Sequence, residues 1–298
     1  MLVAWEAWAL AARSRGEAAV RGRISSVKNK LKKAGKRLKR HIGLLEEEME
    51  KASSLMVEAE EIKDVRHKAV KEATNIRFSL EEAIGNSATW LEKAISILQA
   101  LEKRQMRLDF LLREAQREAA VGSLDRAHEL VIEAERLGED LLGELSHILD
   151  RLEEERRALE KLGKRLGDLL ELIEHEAGLV AKTGVALEER EVICLARLCR
   201  AMGLGVGTLI ITDERIIFSP RTGDESLEIR REGLEEVSTS RAFLGLKKKL
   251  LLTFLRDGER GELILWCNKR DAKDILAELS AQAKGGHEAQ AGGLHPGR

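Results

Sequence analysis

The stretch Gly205–Pro220, "GVGTLIITDERIIFSP", reads unlike the two hundred residues before it. Upstream, apolar side chains recur every three or four positions among charges. Here aliphatic and β-branched residues flank a polar Thr212-Asp213-Glu214-Arg215 tetrapeptide, which is hairpin chemistry. Working outward, "EVICLARLCR" at Glu191–Arg200 has strand-like content, with Val192, Cys194, Ala196 and Leu198 on one face if extended, although a helix also fits it. Downstream come "SLEIR", "LEEVSTS" and "KKLLLTFLRDGERGELILWC", in which Asp257-Gly258 supplies a turn between two apolar runs. The segment "KRDAKDILAELSAQA" then places Ala272, Ile275, Leu276 and Leu279 on one side of a helix. Six or seven short strands and a terminal helix in about a hundred residues predict a small antiparallel barrel closed by that helix.

The N-terminal two thirds carry a different period. Ile24, Leu31, Leu38, Leu45, Ala52 and Ala59 recur every seven residues, with Val27, Ala34, Ile42, Met49 and Met56 between them, and Val65, Ala69, Ile76 and Leu80 continue the stripe. This predicts a coiled-coil helix over about 21–84, roughly 95 Å long. Gly85-Asn86-Ser87 offers a stop, with Thr89 and Glu92 at capping-box spacing, although the first two helices can also be continuous. A second seam, Leu91, Ala94, Leu98, Leu101, Leu108, Leu112 and Ala115, runs to Gly122-Ser123, a stop followed by an N-cap residue. A third runs from Val131 to Ile173. Short turns between long amphipathic helices favour antiparallel neighbours. The fold class expected is therefore α+β and multidomain: an elongated antiparallel helical coiled coil, then the barrel with its helix. The organisation reads as an apolar N-terminal segment (1–20), the coiled coil (21–180, with breaks near 85–87 and 122–123), the strand-rich domain (181–284) and a flexible tail (285–298).

Composition agrees with long solvated helices, since 35% of residues are charged and only 3% aromatic. Proline occurs only at 220 and 296, so nothing earlier must break for want of a backbone donor. Cys194, Cys199 and Cys267 form no C-x-x-C pair and cannot all be bridged in one chain, which fits a reducing, cytoplasmic setting. No apolar run nears twenty residues, and "MLVAWEAWALAA" lacks a basic lead and is interrupted by Glu6, so neither a spanning helix nor a signal peptide is expected.

The net charge of −1 conceals an asymmetry: Arg13–Arg40 holds twelve Lys or Arg against Glu17 alone, while Leu44–Leu179 sums to roughly −12. Leu2, Trp5, Trp8 and Ala12 share one helix face just before the basic block, which is interfacial-anchor chemistry. The candidate membrane-binding residues are Trp5, Trp8, Arg13, Arg15, Arg21, Arg23, Lys28, Lys32, Lys33, Lys36, Arg37, Lys39 and Arg40. The same block could instead bind nucleic acid without reading its sequence, or pair with the acidic region of another copy. His67, His128, His147 and His175 have no metal-ligand spacing and read as solvated helix residues, while Trp90 and Phe110 read as packing residues. No nucleophile–base pair, paired acids or phosphate loop suggests an enzyme, and no cofactor or metal is expected. "AMGLGVG" at Ala201–Gly207 has glycines at nucleotide-loop spacing, but a strand follows where a helix N-terminus would be needed.

The order of an aliphatic opening strand, "GTLIITDERIIF", "LEIRREGLEEVSTS", a Lys-rich turn, a hairpin ending in "LILWC" and a C-terminal helix resembles the pleckstrin-homology-like superfamily, especially GRAM-type and bacterial PH-like domains. A G-x-L-x-L-T-x-x-R-L-I-F-like hairpin matches Gly207–Phe218, and the resemblance covers about residues 185–284. It implies a seven-stranded bent barrel that recognises lipid headgroups, peptides or protein surfaces without catalysis. The basic cluster of phosphoinositide-binding members is missing, since Arg197 and Arg200 are followed by no basic residue until Arg215. The candidate ligand-binding residues are Arg197 and Arg200, the apolar loop residues Met202 and Leu204, and the basic turn of Arg241, Lys247, Lys248 and Lys249. The expected function is a self-associating scaffold or adaptor presenting this module, peripheral to the inner face of a membrane and bound to anionic lipid or an acidic protein partner. The alternatives are a membrane-remodelling polymer resembling ESCRT-III or phage-shock proteins, and nucleic-acid binding through the basic helix.

Overall fold

The computed structural model describes residues 2–241 and 247–288; the side chains of residues 2–17, 24, 241 and 281–288 lie outside the described set. The chain is α+β. Three long helices, α1 (Leu2–Glu61), α2 (Ala69–Val121) and α3 (Leu124–Ala181), precede strands β1 (Ile193–Ala201), β2 (Gly205–Thr212), β3 (Arg215–Pro220), β4 (Leu227–Arg230), β5 (Leu234–Arg241), β6 (Lys247–Arg256) and β7 (Glu259–Asn268), and helix α4 (Lys269–Glu288). The chain divides into two compact units, residues 1–57 with 77–165, and residues 58–76 with 166–298.

In the first unit the heptad positions Leu31, Leu38, Leu45 and Ala52 are at most 2% exposed, and so are Leu80, Ala94, Leu141, Leu145, Leu152 and Leu159 on the other helices. Lys28 pairs with Asp109 and Gly35 faces Leu101, so α1 and α2 run antiparallel. Val27 meets Gly138 and Leu55 meets Gly163, so α1 and α3 run parallel. A Cβ on Gly138 would lie 2.5 Å from Val27 Cγ1, so this glycine sets how closely the two helices approach. The expected break at Gly85-Asn86-Ser87 does not occur. The Thr89 hydroxyl donates to the Gly85 carbonyl 3.1 Å away inside a continuous helix, instead of capping a new one. One glycine costs about 1 kcal/mol, too little to interrupt so long an amphipathic stripe. At Gly122, φ is 90°, with Gly122 N–H bonded to Ala119 O and Ser123 N–H to Glu118 O, the paired bonds of a helix C-terminus turning at glycine.

The real break between α1 and α2 lies at residues 62–68, in the second unit, where neither glycine nor proline marks it. Tertiary bonds hold it open: Ile193 N–H donates to Arg66 O at 2.9 Å and Lys68 N–H to Ile193 O at 2.8 Å. His67 Nδ1 accepts the Ala69 N–H, starting α2. The expected solvated His67 is in fact 5% exposed.

The seven strands form one antiparallel sheet in the order β4-β3-β2-β1-β7-β6-β5. The sheet is open rather than a closed barrel, with β4 and β5 at its edges. One face packs Leu209, Ile211, Phe218, Leu250, Leu252 and Leu265 against Ala272, Ile275 and Leu279 of α4. On the other face, Ala196, Ile210 and Ile217 are covered by Leu179 and Val180 of α3. This second cluster joins the end of α3, from Leu179, to the sheet within the second unit. A register shift between Ile193 and Leu195 also alters the expected side-chain alternation: Cys194 packs toward the α4 side and Ala196 toward α3.

Candidate functional site

The Thr-Asp-Glu-Arg hairpin turns out to be a fastening. Glu191, fully buried, receives Arg215 through Nε and Nη2, both at 2.8 Å, and the Thr212 hydroxyl at 2.7 Å. Asp213 accepts the Val192 N–H at 2.8 Å. Burial pushes the Glu191 carboxyl upward, but Arg215 and the Thr212 hydroxyl outweigh it and hold it at about 2. Arg197, expected to meet a ligand, is committed in the same way. Its guanidinium pairs with Glu176, with Asp271 at 3.3 Å and with Asp274 at 3.3 Å, leaving the side chain 13% exposed. Leu204 likewise packs against the sheet core and is not free on its loop.

The other candidates of this unit stay accessible. Met202 is 62% exposed, Arg200 and Lys247 are exposed, and Lys248 and Lys249 are half-buried. Strand register aligns Arg200 with Trp266, Trp266 with Lys249, and Lys249 with Ser240, so Arg200, Trp266 and Lys249 form one row across β1, β7 and β6. Their strand neighbours Cys199, Ala201, Leu250, Leu265 and Cys267 are buried toward the core, so by strand alternation the row points outward. Trp266 was missed in the sequence, although the alternation of "GELILWC" places it opposite the core residues Leu263, Leu265 and Cys267. Arg241 aligns with Lys248, but its side chain lies outside the described residues.

In the first unit the basic block sorts into two sets. Arg23 and Lys28, beside the seam, pair with Glu135 and Asp109, and Arg21 also has a partner. Lys30, Lys32, Lys33, Lys36, Arg37, Lys39 and Arg40 are all exposed, with no ionic partner among the described residues. At about 100° per residue these seven cover about half of the helix circumference, opposite the buried Leu31 and Leu38. A groove of about 180 Å³ between α1 and α2 lies along this set, with Leu31, Leu98 and Leu101 among its lining residues and Lys32, Lys36 and Lys39 beside them. Such a surface is suited to a broad anionic partner more than to a compact ligand. Trp5, Trp8, Arg13 and Arg15 belong to α1, but their side chains lie outside the described residues. Phe110, expected to pack, is 53% exposed beneath the Arg107 guanidinium, whereas Trp90 is half-buried between Lys93 and Arg151. Among the described residues no helix is long and apolar enough to cross a membrane.

No protein-family model matches the sequence, and no curated protein matches it. Among solved structures the chain is similar to the Vps36 N-terminal PH domain, at 20% identity over 32% of this chain and 80% of that one, with a TM-score of 0.28. It is also similar to the DH/PH domains of p115-RhoGEF, at 9% identity over 87% of this chain and 92% of that one, with a TM-score of 0.29.

Proposed function

We propose that this protein is a non-enzymatic adaptor that meets an anionic membrane surface through the outward half of α1 between Lys30 and Arg40, and carries a PH-like, GRAM-type module for a further partner. The observation that supports this reading best is the set of seven exposed cations without ionic partners, next to Arg23 and Lys28, which do have them. A helix face needed only for solubility would gain from alternating signs. Near an anionic bilayer each such residue contributes up to about 1 kcal/mol, so a few of them suffice for reversible binding. The sequence Leu2, Trp5, Trp8 and Ala12 at helical spacing favours a membrane over a nucleic acid, because aromatic residues are absent between residues 13 and 40. Self-association through the helical stripes, as a coiled-coil scaffold, belongs to the same reading.

The test is liposome flotation beside a DNA-shift assay, both across a salt series. The full chain is expected to float with anionic vesicles and to detach steeply as salt rises. Changing Lys32, Lys36, Lys39 and Arg40 together to Glu is expected to abolish flotation. Binding to DNA without vesicle binding would replace this reading with the nucleic-acid one.

A further inference from the structure

The outward face of β7, β6 and β5 has an order that the α1 surface does not explain. Met202 N–H bonds to Ile264 O, which fixes the level of β1 against β7. Along the strands, the row of Arg200, Trp266 and Lys249 is followed by Ile264 opposite Leu251, and then by Glu262 opposite Thr253 opposite Glu236. Successive rows are about 6.8 Å apart, so a basic row and an acidic row stand about 14 Å apart with an apolar row midway. Trp266, Ile264 and Leu251 are half-exposed, while Arg200, Glu262 and Glu236 are exposed. None of the four charged residues Arg200, Lys249, Glu262 and Glu236 has an ionic partner among the described residues.

Charge that changes sign symmetrically about an apolar line is self-complementary. Rotating a second sheet by 180° about that line sets its acidic row over the basic row of the first, and the reverse. We propose that this face docks a second copy of the chain, its sheet stacked face to face with strands reversed. Stacked sheets lie about 10 Å apart, a gap that Trp266, Ile264 and Leu251 from both copies can fill. Lys249 then faces the partner copy's row that contains Glu262 and Glu236. An anionic bilayer is a poor occupant, because the acidic row would oppose it, and an acidic peptide would leave both glutamates uncompensated. The face measures about 500 Å² per copy, at the small end of specific interfaces, so the dimer is concentration-dependent.

The full chain is tested by sedimentation across a micromolar series. Arg200→Glu with Lys249→Glu, and separately Glu236→Lys with Glu262→Lys, are each expected to weaken self-association about tenfold or more, and an equimolar mixture of the two variants to regain it. Leu251 lies on the rotation axis, where Cα atoms of sheets about 10 Å apart are too far for a direct disulfide, so Leu251→Cys treated with a short bis-maleimide is expected to link position 251 to itself between copies, read by mass spectrometry. That link decides the matter if a charge variant loses its fold by circular dichroism. The proposal is overturned by a wild-type chain that stays monomeric, by variants that associate like wild type, by a mixture that stays apart, or by the absence of the self-link.

Discussion

Glu176 Oε2 lies 3.2 Å from Nε2 of His67, although 109 residues separate the two in sequence. Because His67 Nδ1 accepts the Ala69 N–H, the proton sits on Nε2 and donates to the carboxylate. The same oxygen accepts the Ala196 N–H at 2.7 Å, and the other oxygen takes Arg197. Burial raises the Glu176 carboxyl, and His67 with Arg197 more than offsets this, so it titrates below the usual carboxylate range. One acid thus fastens the α1–α2 turn, α3 and β1 into a single unit.

Replacing Glu176 with Ala is therefore expected to destabilise the unit by about 3 kcal/mol, since it leaves the half-buried Arg197 with weaker partners and orphans the Ala196 N–H. Urea unfolding followed by circular dichroism measures this. A loss below about 1 kcal/mol would show that the network is dispensable.

Acid should expose the Glu191 fastening. Its folded-state value of about 2 lies below the unfolded value near 4.3, so its contribution is present above that unfolded value and disappears as pH falls toward 2. The amount is about 3 kcal/mol at most. Urea midpoints between neutral pH and pH 2 should fall more steeply for wild type than for Glu191→Gln, and parallel curves would contradict the assignment.

Two glycines should respond in opposite ways. Gly85 is exposed, and a methyl group added there would meet nothing within 4 Å, so Gly85→Ala should stabilise α2 by about 1 kcal/mol. At Gly207 a Cβ would lie 2.3 Å from Ser219 O and 2.6 Å from the Phe218 ring, so Gly207→Ala should cost about 2–4 kcal/mol. Thermal melts of both variants check the pair, and a destabilised Gly85→Ala would restore a helix break there.

A fragment of residues 185–284 lacks Leu179, Val180 and Glu176, and so exposes Ala196, Ile210 and Ile217. It should melt at least about 10 °C lower than a fragment beginning at Leu166. Equal melting temperatures would mean that the α3 end adds nothing to the sheet.

Local order was legible wherever one periodicity acts alone. The heptad leucines, the turn at Gly122, the hairpins at Asp213-Glu214 and Asp257-Gly258 and the apolar face of α4 all follow from side-chain spacing and turn chemistry within a few residues. Three features were decided by tertiary structure. The turn at 62–68 has no breaker and exists because Ile193 supplies its hydrogen bonds. His67 and Arg197 look solvated and ligand-like until Glu176 arrives from α3. The Arg200–Trp266–Lys249 row joins residues up to 66 positions apart, so only the pairing of β1 with β7 and β7 with β6 creates it. Periodicity reports which face of an element is apolar. Which charged side chains find partners, and which are left for another molecule, depends on distances that only the folded chain sets.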